Sequence, residues 1–422
     1  MLVFKFGGAS INTIERIKNT ADIINQYASQ KKIVVVVSAI GKTTNALEKI
    51  AKAYCEGQQE EALLLFDQVK QNHLSVVKYL LLHNWQAAEK QLLDFFTEIE
   101  WMLHDKPVRH FDYYYDQIVC CGELFSSAIL AHYLQQTSAL VQWVDVRDIF
   151  RTDNNFRDAA IDIPFTTQKV MEQIVPHFAT QNIVITQGFI GATDENESTT
   201  LGREGSDYSA AIFANILNAT ELTIWKDVPA VMSADPNKFT EAVNIPFLNY
   251  TEVIEMAYYG AQVIHPKTIK PLQNKNIPLY VKSFLDTDLP GTVINNNKVN
   301  NLPPIIVLKN TQVLIHFKSK DFSFMEGRAL GQLHKIFNAV KLQPNLTQNT
   351  AVSFICCFDG HSEKTSLIAE QASLLFDVIV ERDLSLLTIR HYNIVTIEQF
   401  TTSKQIILLQ KTIETVQMVM RD

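Results

Sequence analysis

Glycine is scarce in this chain, 14 of 422 residues, roughly half the usual frequency of about 7%. Nine of the 14 fall in a few short segments, at positions 7, 8, 41, 122, 188, 191, 202, 205 and 260. A chain that uses so little glycine and clusters it needs bare backbone in those places. Close approach to a phosphate or a small substrate is one such need. Cysteine is also sparse. Cys120/Cys121 and Cys356/Cys357 are adjacent pairs, Cys55 stands alone, and no Cys-x-x-Cys spacing occurs. This excludes a disulfide framework and argues against a zinc or redox motif; buried, reduced thiols of a cytoplasmic protein are expected. Positive charge is in deficit, with 37 Lys+Arg against 45 Asp+Glu and a net charge of −8. No basic face is available to displace counterions from nucleic acid. No continuous apolar run reaches the roughly 18 residues of a membrane span, so no membrane association is expected. Residues 1–10 lack a basic region followed by an apolar stretch and a small-residue cleavage site, and read as a first strand, not a signal peptide.

What is present is a globular composition, 47% apolar and 19% charged, with length for two or three domains at about 150 residues each. Short β-branched runs at 2–6, 33–37, 140–144, 183–187, 221–225 and 277–281 alternate with helical patterns. Continuous apolar strands of this kind predict a mainly parallel sheet covered on both faces, a three-layer αβα domain over residues 1–294. Ligands in such sheets bind beyond the carboxyl ends of the strands, where the glycines at 7–8, 41 and 188–191 fall. Residues 57–106 read as an inserted helical subdomain with a core stripe through Leu63, Leu64, Leu65, Phe66, Val69, Val76, Val77, Leu80 and Leu81. Residues 295–304, Asn-rich and closed by two prolines, read as a linker. Beyond it, 305–422 predicts strands at Val313–Phe317 and Ala351–Phe358, helices at Gly327–Val340 and Glu363–Phe376, and a strand pair across Val378–Ile389. A short helix near Val395–Thr401 and strands at Ile406–Gln410 and Glu414–Met420 follow, as two small α+β units sharing a sheet.

Five segments carry chemistry. Lys5, inside an apolar strand and followed by Gly7 and Gly8, either points into a cleft or snorkels to solvent; the paired glycines would let phosphate oxygens reach backbone amides. Ser38–Asn45 contains Gly-Lys-Thr, but a phosphate-binding loop of the Walker type needs a glycine where Val36 stands. A turn offering hydroxyls and helix N-terminal amides fits better. Thr199–Ser209 gathers Gly202, Arg203, Ser206 and Asp207 at a helix start, where Arg203 can clamp a carboxylate and Asp207 is either functional or an ordinary cap. Lys226, Asp227 and Asp235 follow a strand and suit a nucleotide's ribose and phosphates, or simple turn chemistry. His265, between an apolar pair and Pro266, reads as structural.

Together with Gly122–Ser126, these segments resemble the aspartate kinase branch of the amino acid kinase family in order and spacing across nearly the whole chain, with a tail resembling its paired ferredoxin-like ACT regulatory domains. The resemblance implies MgATP-dependent phosphorylation of the L-aspartate β-carboxylate to 4-phospho-L-aspartate, the entry to lysine, threonine and methionine biosynthesis. It implies that Lys5, Gly7 and Gly8 bind the transferring phosphoryl group and that Asp207 orients Lys5. Ser38, Thr44, Glu123, Arg203 and Ser206 would hold aspartate, with Glu123 on its ammonium and Arg203 on its α-carboxylate. Phe189 and Gly191 would border the pocket, and Lys226, Asp227 and Asp235 would line the ATP side. Mg²⁺ is expected on phosphate oxygens and water, with no protein ligand named. A homodimer through the tail and a lysine or threonine effector are the expected partners.

The chain departs from the family pattern. Gln262, Asn237 and Met232 stand where a lysine, an arginine and an aromatic are usual, and Lys226 replaces a frequent threonine. Loss of one charge-assisted phosphate contact costs about 1.5–3 kcal/mol, and Lys226 is expected to restore part of the charge missing at 262. The loop Ser319–Arg328 carries Met325-Glu326-Gly327-Arg328 in place of the common Gly-Phe-Leu, and a last helix after Met420 is absent. Other acceptors (glutamate, carbamate, UMP) and a non-catalytic amino-acid sensor are the competing readings; Glu123 and Arg203 weigh against the first, and Lys5 and Asp207 against the second.

Overall fold

The computed structural model describes residues 1–83, 85–137, 140–261, 263–402 and 404–421. The chain packs as two units that do not divide at a single linker. One comprises Met1–Val231, Pro246–Ile254 and Val263–Val299; the other comprises Met232–Ile245, Glu255–Gln262 and Asn300–Asp422. Two short segments within 1–294 therefore pack with the C-terminal residues.

In the first unit an eight-stranded sheet runs in the order Phe247–Asn249, Thr292–Asn295, Leu279–Ser283, Glu221–Lys226, Leu2–Phe6, Ile33–Val37, Ile183–Gln187, Val141–Trp143. All neighbours are parallel except Leu279–Ser283 with Thr292–Asn295. Ile33–Val37 and Ile183–Gln187 are buried at every position, which requires cover on both faces and explains their lack of polar alternation. Helix Gly205–Ile216 packs with Pro266–Lys275 and against the strands Leu2–Phe6, Ile33–Val37 and Glu221–Lys226. Cys121–Thr137 packs against Ile33–Val37, Val141–Trp143 and Ile183–Gln187. Helices Phe111–Val119 and Cys121–Thr137 form a nearly continuous 27-residue run with a mean hydropathy of 1.2 in its most apolar window, long enough to cross a membrane; 83% of that window is buried inside the protein.

The expected helical insertion is a pair, Gln59–Leu80 and Trp85–His104. Its stripe is narrower than the sequence suggests. Ala62, Phe66, Val69, His73, Val77 and Leu80 are buried at helical spacing, while Leu64 is 62% exposed. A run of consecutive leucines cannot all face one side of a helix.

The second unit holds a six-stranded antiparallel sheet, ordered Leu346–Asn349, Ser353–Asp359, Ile305–Ser319, Phe376–Arg390, Thr415–Arg421, Gln405–Lys411. The expected strand pair across Val378–Ile389 is instead one 15-residue strand, Phe376–Arg390. It pairs along its length with the 15-residue strand Ile305–Ser319, and the register shifts between Lys309 and Leu314. The polar stretch Glu381-Arg382-Asp383 crosses this bulge; Asp383 and Thr311 have φ of 58° and 56°. The bulge also exchanges the buried face. Val313, Ile315 and Phe317 pack with helices Gly327–Val340 and Ser362–Ser373, whereas Ile306 and Leu308 pack with Leu387, Ile389, Ile397 and Phe400. The short strand Leu346–Asn349 was not expected from the sequence.

Candidate active site

The first strand delivers Lys5 at the carboxyl end of the sheet, in register with Val36 and Ile224 on its two neighbours. Its ammonium does not reach solvent by snorkelling. It lies 2.7 Å from Asp207 Oδ1, with both side chains largely buried. Asp207 is therefore not the helix cap. It sits inside the first turn of Gly205–Ile216, after Glu204, which has φ 55°. One carboxylate holds the buried ammonium in position.

Gly8 shows what the clustered glycines do. A Cβ there would stand 2.6 Å from the Ala39 carbonyl oxygen and 3.0 Å from that of Gly41. The Gly41 amide donates to the Gly8 carbonyl at 3.1 Å. At Gly188 a Cβ would lie 2.7 Å from Ser206 Cα. Bare backbone here lets turns pack on one another at the strand ends, which in turn brings Ser38, Ser206 and Lys5 around one space.

That space is a cleft of about 450 Å³. Lys5, Ser38, Thr44 and Glu123 line it from one side of the sequence, and Phe189, Arg203, Ser206 and Asp207 from the other. Helix Cys121–Thr137 carries Glu123, which is 3% exposed. Its Oε1 accepts from the Ala39 amide at 3.2 Å, and its Oε2 has no hydrogen-bond partner among the described residues. Burial pushes its pKa up to about 8, against the lowering pull of the Ala39 amide and of Lys5. Arg203 is exposed on the rim and makes no side-chain hydrogen bond or ion pair among the described residues. Phe189 has φ 70°; its amide donates to Ser209 Oγ at 3.0 Å. The cleft thus offers one unsatisfied buried carboxylate, one free guanidinium and one anchored ammonium.

The remaining expected residues are placed differently. Gly191 does not line the cleft; it lies in the hairpin Ile190–Ala192/Ser198–Thr200, where a Cβ would meet the Phe150 carbonyl at 2.8 Å. Gly7 lies beside the Lys5 ammonium, 3.5 Å from where its Cβ would be. Lys226 ends its strand and donates to the Val263 carbonyl at 2.6 Å, next to position 262; Gln262 itself lies outside the described residues. Asp227 is exposed. Asp235 belongs to the second unit, where its Oδ1 accepts from Asn237 N at 3.0 Å and Nδ2 at 3.2 Å. His265 caps helix Pro266–Lys275, its Nδ1 accepting from the Lys267 amide at 3.1 Å; its role is structural.

Sequence reasoning missed three residues here. Asp116 is fully buried and accepts from Thr200 N at 2.8 Å, Thr200 Oγ1 at 2.7 Å and Arg157 N at 2.9 Å. Burial raises its pKa to about 6 against those hydrogen bonds. Tyr115 and Arg157 line the cleft. Nothing local marks Asp116: its partner Thr200 is 84 positions away.

A parallel sheet with phosphate-compatible turns and an anchored ammonium at its carboxyl edge defines a phosphotransferase-type site. The sequence pattern of the amino acid kinase family matches residues 1–283, and the chain belongs to that family. Its relatives there include aspartokinases. The chain is 31% identical over 402 residues to lysine-sensitive aspartokinase 3 of Escherichia coli (strain K12), covering 92% of this chain and 86% of that protein. It is 34% identical over 307 residues to bifunctional aspartokinase/homoserine dehydrogenase 1, chloroplastic, of Zea mays, covering 71% of this chain and 32% of the relative. The chain spans about a third of the length of such bifunctional plant relatives. The crystal structure of Escherichia coli aspartokinase III in complex with aspartate and ADP superposes with a TM-score of 0.83 at 26% identity, covering 100% of this chain and 96% of that one.

Proposed function

We propose that this chain is an aspartate kinase, transferring the terminal phosphoryl group of ATP to the β-carboxylate of L-aspartate to give 4-phospho-L-aspartate. One observation carries the reading: a buried carboxylate with a free oxygen, Glu123, shares a cleft with a free guanidinium, Arg203. The first fits an α-ammonium and the second an α-carboxylate, which selects an amino acid over UMP or carbamate. The aspartokinase relatives support aspartate as that amino acid.

A carboxylate nucleophile is already deprotonated at neutral pH, so no general base is needed. The obstacle is repulsion between two anions and their alignment. Lys5, held by Asp207, places positive charge where the phosphoryl group passes, and Gly7 and Gly8 leave backbone amides accessible beside it. Mg²⁺, when bound with the nucleotide, neutralises phosphate charge. Lys226 and Asp227 are read as the nucleotide side of the site. The Lys5–Asp207 pair weighs against a retired, purely sensing domain. The C-terminal unit is read as the regulatory and dimerisation region, with lysine the first effector to test because a relative is lysine-sensitive. A cytoplasmic location accords with five free thiols.

The test is a hydroxamate assay for acyl phosphate with MgATP and L-aspartate, glutamate, carbamate or UMP as acceptor. Aspartate-dependent product is expected, and Lys5→Met should lower turnover by roughly 10²–10³-fold. No acyl phosphate from aspartate, or full activity in Lys5→Met, would overturn the reading.

A further inference from the structure

Arg157 is a charged residue of the cleft that neither the sequence motifs nor the proposed chemistry uses. It occupies a left-handed backbone conformation, φ 70°, which a bulky side chain adopts only when its surroundings impose it. The imposing group is Asp116, whose buried carboxylate takes the Arg157 amide at 2.9 Å and also both the amide and the hydroxyl of Thr200. Asp116 thereby ties the 155–158 turn to the strand Ser198–Thr200, which leads into Arg203. The side chain is held in turn. Its guanidinium lies 4.5 Å from the centroid of the Tyr115 ring, and Tyr115 donates to Glu48 Oε1 at 2.5 Å. Nη1 lies 2.9 Å from Asp112 Oδ1, in a pair whose side chains are both about half exposed, 47% and 55%.

An exposed pair of this kind is weakly held. A carboxylate arriving in the cleft competes with Asp112 for the same guanidinium, and stacking on Tyr115 keeps the planar fork oriented while the partner changes. The charges in the cleft leave room for this. Lys5 is already paired with Asp207. An amino dicarboxylate bound with its ammonium on Glu123 presents a non-reacting carboxylate, and Arg157 lines the same cleft as Arg203.

We propose that Arg157 is a second guanidinium for the non-reacting carboxylate of the amino acid substrate, exchanging Asp112 for it on binding and setting affinity for that substrate beside Arg203. This rests on the reading of the cleft as an amino acid site. The strain gives the proposal an unusual signature. Glycine takes φ 70° without a Cβ clash and asparagine tolerates it, so Arg157→Gly and Arg157→Asn keep the fold while removing the charge.

The experiment measures acyl phosphate formation and thermal unfolding for the wild type, Arg157→Gly, Arg157→Asn and Arg157→Lys. The expected result is a KM for aspartate raised about 10- to 100-fold in the glycine and asparagine variants. The KM for ATP should stay within twofold, the unfolding midpoint should not fall, and lysine should restore part of the affinity. A KM for aspartate within twofold of wild type in a folded Arg157→Gly or Arg157→Asn overturns the proposal and leaves the aspartate kinase reading intact. So does a loss that falls equally on both substrates or that lysine does not relieve. A wild type that makes no acyl phosphate from aspartate removes both.

Discussion

At the scale of single residues, Glu123 gives the cleft its pH dependence. Burial raises its pKa from 4.5 to about 8, so between those values the folded protein holds a proton that the unfolded chain does not. Stability contributed by this group therefore falls as pH rises from about 4.5 to 8. Asp116 acts with the same sign between 3.8 and about 6. Binding of an ammonium requires the ionised form, so aspartate affinity should rise as pH climbs toward 8. Glu123→Gln should raise the KM for aspartate at least tenfold and flatten that dependence between pH 6.5 and 8.5. A variant whose KM still tracks pH as in the wild type would remove Glu123 from the ammonium site. Lys226 donates to the Val263 carbonyl, and from the sequence it is expected to restore part of the charge that Gln262 does not carry. Lys226→Ala should raise the KM for ATP by about tenfold with the KM for aspartate unchanged; unaltered ATP kinetics would show that it compensates for nothing. Lys5, Arg203 and Asp207 stood out in the sequence as charged groups in an apolar strand and at a helix start, whereas Glu123 was singled out only by the family resemblance. Asp116 and Arg157 were not legible there, since a tertiary contact alone gives them meaning.

At the scale of elements, the helical pair Gln59–Leu80 and Trp85–His104 supports the sheet from outside the cleft. Phe96 stands at its centre, with ring centroids 6.0 Å from Phe66 and 4.8 Å from Phe125 on the helix that carries Glu123. Phe96→Ala should destabilise the fold by about 3–5 kcal/mol in chemical denaturation while leaving both KM values near wild type at low temperature. A change in KM for aspartate without loss of stability would mean that the pair positions Glu123 directly. Existence and type of most elements followed from periodicity. The exceptions share a cause. Leu64 faces solvent because helical geometry rations a run of leucines, and Phe376–Arg390 stays one strand because a bulge absorbs polar residues that locally resemble a turn.

For the whole molecule, the antiparallel sheet of the second unit is built from two halves spliced by long strands, each half with its own core. The amino-acid-sensing reading of this unit is tested by titrating lysine, threonine and methionine against aspartate-dependent turnover. Inhibition by lysine is expected, and no response to any of the three would leave the unit a dimerisation module, to be checked by sedimentation. The sequence by itself determined the family, the αβα and ferredoxin-like classes, and the polar groups at the strand ends. These depend on local pattern and on residue types in a fixed order. Only the tertiary structure decided that Lys5 pairs with Asp207, that Glu123 keeps an unpaired oxygen, and that the 157 turn joins the cleft. Each depends on distances between segments dozens to hundreds of residues apart, which packing of the sheet and its helices sets and no local pattern records.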